Sequence, residues 1–206
     1  MKELIAVAPR EPVLQDYEDR PVSDEQVRVK VEFGAPKRGS ELTGYRAVRG
    51  SSFPMGLGNM CVGHIIEIGD GVEGFSIGDR VAGHGHLRET HTWRADGLLR
   101  LEERMTWKEA VCYDPTLFAL GGIRDGQVRL GDAVAVFGLG AIGQITVQMA
   151  KMAGASFVAA VDPIEKRRQA AINVGVDMTL DPTSVDVAEE LKAATNGQGI
   201  DVAIET

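Results

Sequence analysis

Six consecutive residues, Gly138-Leu139-Gly140-Ala141-Ile142-Gly143, carry the clearest chemistry in this chain. They form a G-x-G-x-x-G directly after a compact apolar run, Ala133-Val134-Ala135-Val136-Phe137, and just ahead of a helical pattern. That context turns a common glycine spacing into a candidate phosphate cradle. Gly138 permits a tight turn, Gly140 lets the backbone approach a pyrophosphate, and Gly143 lets the helix pack closely on the strand. The helix start, with Ala141 and Ile142, offers unpaired N–H groups and a positive dipole end to the phosphates. Asp162 ends the next apolar run, 19 residues after Gly143. A carboxylate there accepts hydrogen bonds from a ribose 2′-hydroxyl and repels a 2′-phosphate, so NAD is expected over NADP. Lys166, Arg167 and Arg168 lie close by and soften that preference, and Arg167 joins the cofactor-binding set. The competing reading is a plain strand–helix turn in which Asp162 only caps.

A second cluster is His84, His86 and His91. A His-x-His on a strand points both rings to one face, and His91 or Glu89 extends the set. No nearby cysteine completes a metal site, so a polar strand edge is the preferred reading and no metal is expected. Cys61 and Cys112 read as small buried apolar residues rather than nucleophiles.

The elements that must position these groups change character along the chain. In Gln26–Phe33, Val27, Val29, Val31 and Phe33 alternate with Arg28, Lys30 and Glu32, a strand with one buried face. His64–Ile68 is a second strand, followed by an Asp70-Gly71 turn. Ser76-Ile77-Gly78-Asp79 makes another turn into Arg80-Val81-Ala82. Short strands at this spacing predict a β-rich barrel or sandwich. Thr106-Trp107-Lys108-Glu109 has capping-box spacing and opens a short helix. After about Asp114–Gly122 the pattern becomes strand Ala133–Phe137, helix Ala141–Ala153, strand Ser156–Val161, helix Asp162–Val174, strand Met178–Leu180, helix Ser184–Thr195 and strand Asp201–Glu205. Asp162 is expected to cap its helix with Pro163 at the first helical position. Alternating β and α elements imply a parallel sheet. The fold class is therefore α/β: a β-rich domain over residues 1–114, then a doubly wound dinucleotide-binding domain over 115–206.

Composition excludes several classes of function. The 206 residues carry 22 Lys+Arg against 30 Asp+Glu, a formal charge of −8. An acidic chain gains no electrostatic help toward nucleic acid or an anionic membrane, so neither is an expected partner. No apolar run nears the roughly 18 residues of a spanning helix, and Met1–Ile5 lacks the apolar region of a secretory signal. Two cysteines cannot build a disulfide framework, which points to reduced thiols and the cytoplasm.

Gly78-Asp79-Arg80-Val81 followed by Gly131-Asp132-Ala133-Val134-Ala135-Val136-Phe137-Gly138-Leu139-Gly140 resembles the medium-chain dehydrogenase/reductase superfamily. The likeness covers essentially the whole chain. It implies a GroES-like catalytic domain ahead of a Rossmann domain, with a small-molecule substrate. Many members of that family hold a catalytic zinc. Here Arg38 stands where the first ligand, a Cys, would be, and Asn59 and Met60 fill the slots of a Gly-His-Glu. Asp114, before Pro115, falls on a further ligand position. The four-cysteine lobe of a structural zinc is absent. The resemblance therefore points to the zinc-independent branch, with no zinc expected.

Ser40 falls on the hydroxyl position that relays a proton in zinc-containing relatives. Lys37 and Arg38 bring positive charge for a carbonyl oxygen, and Tyr45 is a candidate proton donor. Ser40, Arg38 and Tyr45 are the candidate catalytic residues. The expected activity is hydride transfer between NAD(H) and an alcohol/carbonyl pair, with a polyol-like substrate as one candidate. The alternatives are an NADPH-dependent quinone or enoyl reductase, or a nucleotide-binding protein without turnover. The resemblance also implies a homo-oligomer, dimer or tetramer, in the full-length form. A Rossmann sheet usually has six strands, and four are legible here. The family's chain continues for well over a hundred residues. The four-strand form is therefore expected to bind adenine nucleotide weakly and to transfer hydride negligibly.

Overall fold

A computed structural model describes residues 1–48 and 50–206. The elements run β1 (Lys2–Ala8), β2 (Glu11–Asp16), β3 (Gln26–Ala35), α1 (Arg38–Tyr45), β4 (Met55–Gly56), β5 (Met60–Ile68), β6 (Arg80–His84), β7 (Thr90–Arg94) and β8 (Leu99–Arg100). They continue with α2 (Trp107–Ala110), α3 (Tyr113–Asp125), β9 (Ala133–Phe137), α4 (Ala141–Met152), β10 (Phe157–Val161), α5 (Glu165–Asn173), β11 (Met178–Leu180), α6 (Val187–Ala194) and β12 (Val202–Glu205). The chain divides into two compact units, Met1–Tyr113 and Asp114–Thr206.

The first unit is β-rich. Five antiparallel strands lie in the order β7-β3-β5-β6-β8, and a second sheet has the order β2-β1-β4. The alternation in β3 works as its pattern predicts. Val27 and Val29 are fully buried with Ile65 and Val81 in one core cluster. Register shifts at Arg28/Val29 and Val31/Phe33 then turn the strand, and Phe33 packs on a second cluster around Met60, Val62 and Ala82. α2 opens with the capping box read from its sequence: Thr106 accepts from the Glu109 N–H while Glu109 reaches back to the Thr106 N–H.

The β1–β2 hairpin, α1, β4, β7 and β8 carried no clear sequence signal. β1 buries Ile5 and Ala6 side by side, not at alternate positions, so no period of two is visible. α1 is eight residues long and buries none of them, so no apolar stripe marks it.

The second unit is a four-stranded parallel sheet in the order β11-β10-β9-β12. β9 reads as a continuous apolar run because both faces are covered. Val134 and Val136 face a cluster that holds Leu139, Val147 and Ala150, while Ala135 and Phe137 face one that holds Val161, Leu180 and Leu191. α4 ends where Gly154 adopts φ +93°, a left-handed stop that glycine accommodates. α5 departs from expectation. It starts at Glu165, its cap is Ile164 with no side-chain bond, and Pro163 lies outside the helix. Asp162 instead folds its carboxylate over the turn and accepts the Ile164 N–H at 2.8 Å. Among the described residues no helix is long and apolar enough to cross a membrane.

Candidate functional site: a dinucleotide cradle and an electropositive helix start

The glycine turn joins β9 to α4. Gly138 has φ +85°, a conformation that L side chains rarely adopt. A Cβ on Gly143 would lie 1.9 Å from the Gly138 carbonyl oxygen, so only glycine lets α4 start this close to the strand. A Cβ on Gly140 would project into open space, the space a pyrophosphate needs. Gly140 caps α4 without a side-chain bond, and the first turn holds no acidic residue. The leading N–H groups and the positive end of a 12-residue helix therefore remain available to an anion. These residues fit a dinucleotide.

Asp162 lies at the end of β10 and is 1% exposed. One carboxylate oxygen accepts the Leu139 N–H at 2.8 Å and the Arg167 guanidinium at 3.1 Å, and the other accepts Ile164. Burial pushes this carboxyl up, but the Leu139 and Ile164 N–H groups and Arg167 outweigh it and hold the group below its usual range. A carboxylate offers about four acceptor positions, and three are filled here. Asp162 is thus a brace for the glycine turn, with three of its four acceptor positions filled by the described residues. Arg167 sits over it, 30% exposed. The bracing was missed in the sequence because the Leu139 partner is 23 residues away.

In the first unit, Arg38, Ser40 and Tyr45 share α1. Arg38 and Tyr45 line one cavity of about 310 Å³ with Leu4, Pro36, Leu42 and Leu57. Ser40 is exposed and does not line it. Arg38 has no ion-pair partner among the described residues. It stands at the positive end of its helix, where a cation is disfavoured, and the Glu41 carboxylate in the same first turn offsets part of that charge. Glu41 holds that end in place: it accepts the Lys37 N–H through one oxygen and the Gly58 N–H at 2.8 Å through the other. Glu41 was not singled out in the sequence as a clamp, because its Gly58 partner lies on a distant turn.

The zinc slots suggested by the resemblance hold a guanidinium, an amide and a thioether. Met60 is buried, and the Asn59 side-chain oxygen is buried without a hydrogen-bond partner among the described residues. The adjacent Cys61 thiol donates to the Gly85 and His86 carbonyls, and burial pushes it up to about 12, so it stays protonated. Asp114 belongs to the other unit. Zinc wants about four N, S or O donors in a tetrahedron. This donor set does not fit it, and among the described residues no three His, Cys, Asp or Glu converge as metal ligands.

The histidines separate. β6 ends at His84, so His86 lies beyond the strand and the pair does not share a strand face. His84 meets Tyr113: its Nδ1 is 3.2 Å from the Tyr113 hydroxyl. His91 is buried, stacked on Trp93 at 4.5 Å, with Nε2 2.9 Å from the His86 carbonyl oxygen. Burial lowers it to about 4, so it is neutral at physiological pH.

Comparison with known proteins identifies the architecture. Residues 23–152 match the family described as alcohol dehydrogenase GroES-like domain. Residues 141–206 match the one described as zinc-binding dehydrogenase, a segment that includes none of Arg38, Asn59 and Met60. The chain is 45% identical to D-guloside 3-dehydrogenase of Escherichia coli (strain K12), over all of this chain and 67% of that protein. That alignment runs to 233 positions, so the relative carries residues with no counterpart in these 206. Among solved structures, alcohol dehydrogenase TADH from Thermus sp. ATN1 superposes with TM-score 0.88 at 22% identity, over 100% of this chain and 70% of that one. The 2R,3R-butanediol dehydrogenase of Bacillus subtilis superposes with TM-score 0.86 at 25% identity, with the same coverage. With the two domain matches in tandem and a relative this similar along the entire sequence, the chain belongs to the medium-chain dehydrogenase/reductase superfamily of oxidoreductases.

Proposed function

We propose that this chain is a zinc-independent dehydrogenase acting between NAD(H) and an alcohol/carbonyl pair of sugar or polyol type. The observation that carries the reading is the glycine cradle, open at Gly140 and braced by an ionised Asp162. When bound, the dinucleotide supplies the ring that takes or gives the hydride. Gly138, Gly140, Ala141, Ile142 and Gly143 hold its phosphates, and Asp162 with Arg167 reads its ribose. On the substrate side, the Arg38 guanidinium at the α1 start stabilises charge developing on the carbonyl oxygen, the task a metal performs elsewhere. Ser40 and Tyr45 are the accompanying hydroxyl groups. The name of the 45% identical relative, D-guloside 3-dehydrogenase, supports a secondary hydroxyl of a sugar as the reacting group.

One observation favours a second reading. Arg167 lies over Asp162 and offers a partner to a 2′-phosphate, as an NADPH-dependent quinone or enoyl reductase requires. Titration with NADH and NADPH decides between them. Tighter NADH binding by roughly tenfold or more is expected, because the nearby carboxylate repels a 2′-phosphate. Equal affinity, or tighter NADPH, overturns the NAD reading. Elemental analysis of the dialysed protein is expected to find no stoichiometric zinc, and one tightly held zinc per chain overturns that part.

A further inference from the structure

We propose that Tyr113 and His84 form a proton relay that receives the substrate hydroxyl proton, an inference that rests on the dehydrogenase reading above. Ala35 of β3 pairs with Met60 of β5, and Met60 pairs with His84 of β6. Three adjacent strands therefore finish in one row, about 10 Å across at ordinary strand spacing. Arg38 opens the helix that follows the β3 end of that row. Asn59, whose side-chain oxygen has no partner among the described residues, immediately precedes the β5 member. His84 is the β6 member, and its ring is exposed. Tyr113 packs on the cluster around Met60, Val62 and Ala82, beneath the same row. Its hydroxyl lies 3.2 Å from His84 Nδ1, and the two rings meet edge to face at 5.3 Å.

Asn59 brings to this end of the sheet an acceptor with no partner among the described residues, and no metal donor set converges among those residues. A dehydrogenase without zinc still has to dispose of a proton. The Tyr113–His84 pair has the parts. The substrate O–H donates to the Tyr113 hydroxyl oxygen while Tyr113 passes its own proton to His84 Nδ1. His84 then releases its Nε2 proton to water, which its exposure allows. A bound nicotinamide dinucleotide would take the electron pair of the substrate C–H bond as hydride while the C–O bond becomes a carbonyl. The balance is alcohol plus NAD giving carbonyl, NADH and one proton. Tyr113 is the catalytic residue in this scheme, and His84 positions it and carries the proton away.

The test uses the whole chain labelled with ¹⁵N-histidine, loaded with NADH. In the parent, His84 is expected to show an unprotonated, hydrogen-bonded Nδ1 and a protonated Nε2, and Tyr113→Phe should shift the Nδ1 signal. Methyl glucoside, a glycoside with free secondary hydroxyls, should then move the His84 signals in the parent but not in Tyr113→Phe. In NAD-dependent oxidation of that glycoside, followed as slow single turnover at high protein concentration because the four-strand form is expected to transfer hydride poorly, Tyr113→Phe and His84→Ala should each lower kcat about a hundredfold with KM unchanged, and added imidazole should restore His84→Ala. A merely structural pair would show no such rescue. His84 signals that ignore the glycoside in the parent, or variants that keep the parent kcat, overturn the relay alone. A chain that binds no NADH overturns the dinucleotide reading and the relay with it.

Discussion

Leu139, Ile164 and Arg167 all donate to one carboxylate, so Asp162 ties the glycine turn to the turn after β10. Asp162→Ala removes that brace and leaves a buried N–H at Leu139 unpaired. A loss of about 2–3 kcal/mol in urea unfolding is expected, together with a narrower gap between NADH and NADPH binding. Because the folded carboxyl lies below its ordinary value, its contribution is present above about pH 3.8 and is lost as pH falls through the folded value. His91 is also lowered, to about 4 from 6.5, with desolvation the leading cause. The unfolded chain takes up that proton first, so stability is full above 6.5 and falls as pH drops from 6.5 toward 4, by at most about 3 kcal/mol. His91→Phe keeps a ring on Trp93 and should flatten that fall in denaturation curves measured across the window. Residue identity alone marked Asp162 and the histidines. It did not reveal their partners, because Leu139 and the His86 carbonyl come close only once the turns close.

At the scale of elements, the glycine turn separates a folding requirement from a binding one. Gly143→Ala drives a methyl into the Gly138 carbonyl, so both stability and NADH affinity should fall. Gly140→Ala meets nothing within 4 Å. It should leave the melting temperature within a few degrees of the parent while weakening NADH tenfold or more, because the methyl occupies pyrophosphate space. Calorimetry and NADH titration on the two variants check the contrast, and equal effects on both would defeat it. The strands and helices of the second unit were legible because each is an apolar run closed by a glycine or a cap. α1 was not, since an eight-residue helix with no buried residue owes its place to Glu41 and its tertiary bonds. Helix α5 began later than its sequence suggested because Asp162 was drawn to Leu139 as well as to Ile164.

For the whole molecule, the sheet order β11-β10-β9-β12 leaves β12 bonded on one side only among the described residues. Ala203 on that strand is exposed and lines an apolar groove with Phe137, Val187, Leu191 and Ile200. The row of backbone groups along the outer side of β12, next to this groove, pairs readily with another chain. Concentration-dependent association is therefore expected by sedimentation, and Ala203→Lys should reduce it. Monomeric behaviour at all concentrations would contradict this. The sequence by itself determined the two kinds of architecture, the glycine turn at Gly138–Gly143 and the acid at Asp162 that closes the next strand. All of these are encoded in contiguous patterns, where spacing and residue type suffice. Only the tertiary structure decided that Asp162 is mostly consumed as a brace and that Arg38 lacks an ion-pair partner among the described residues. It also separated His84 from the other histidines and set it against Tyr113. Those outcomes depend on strand register and on turn closure between distant residues, which no local pattern specifies.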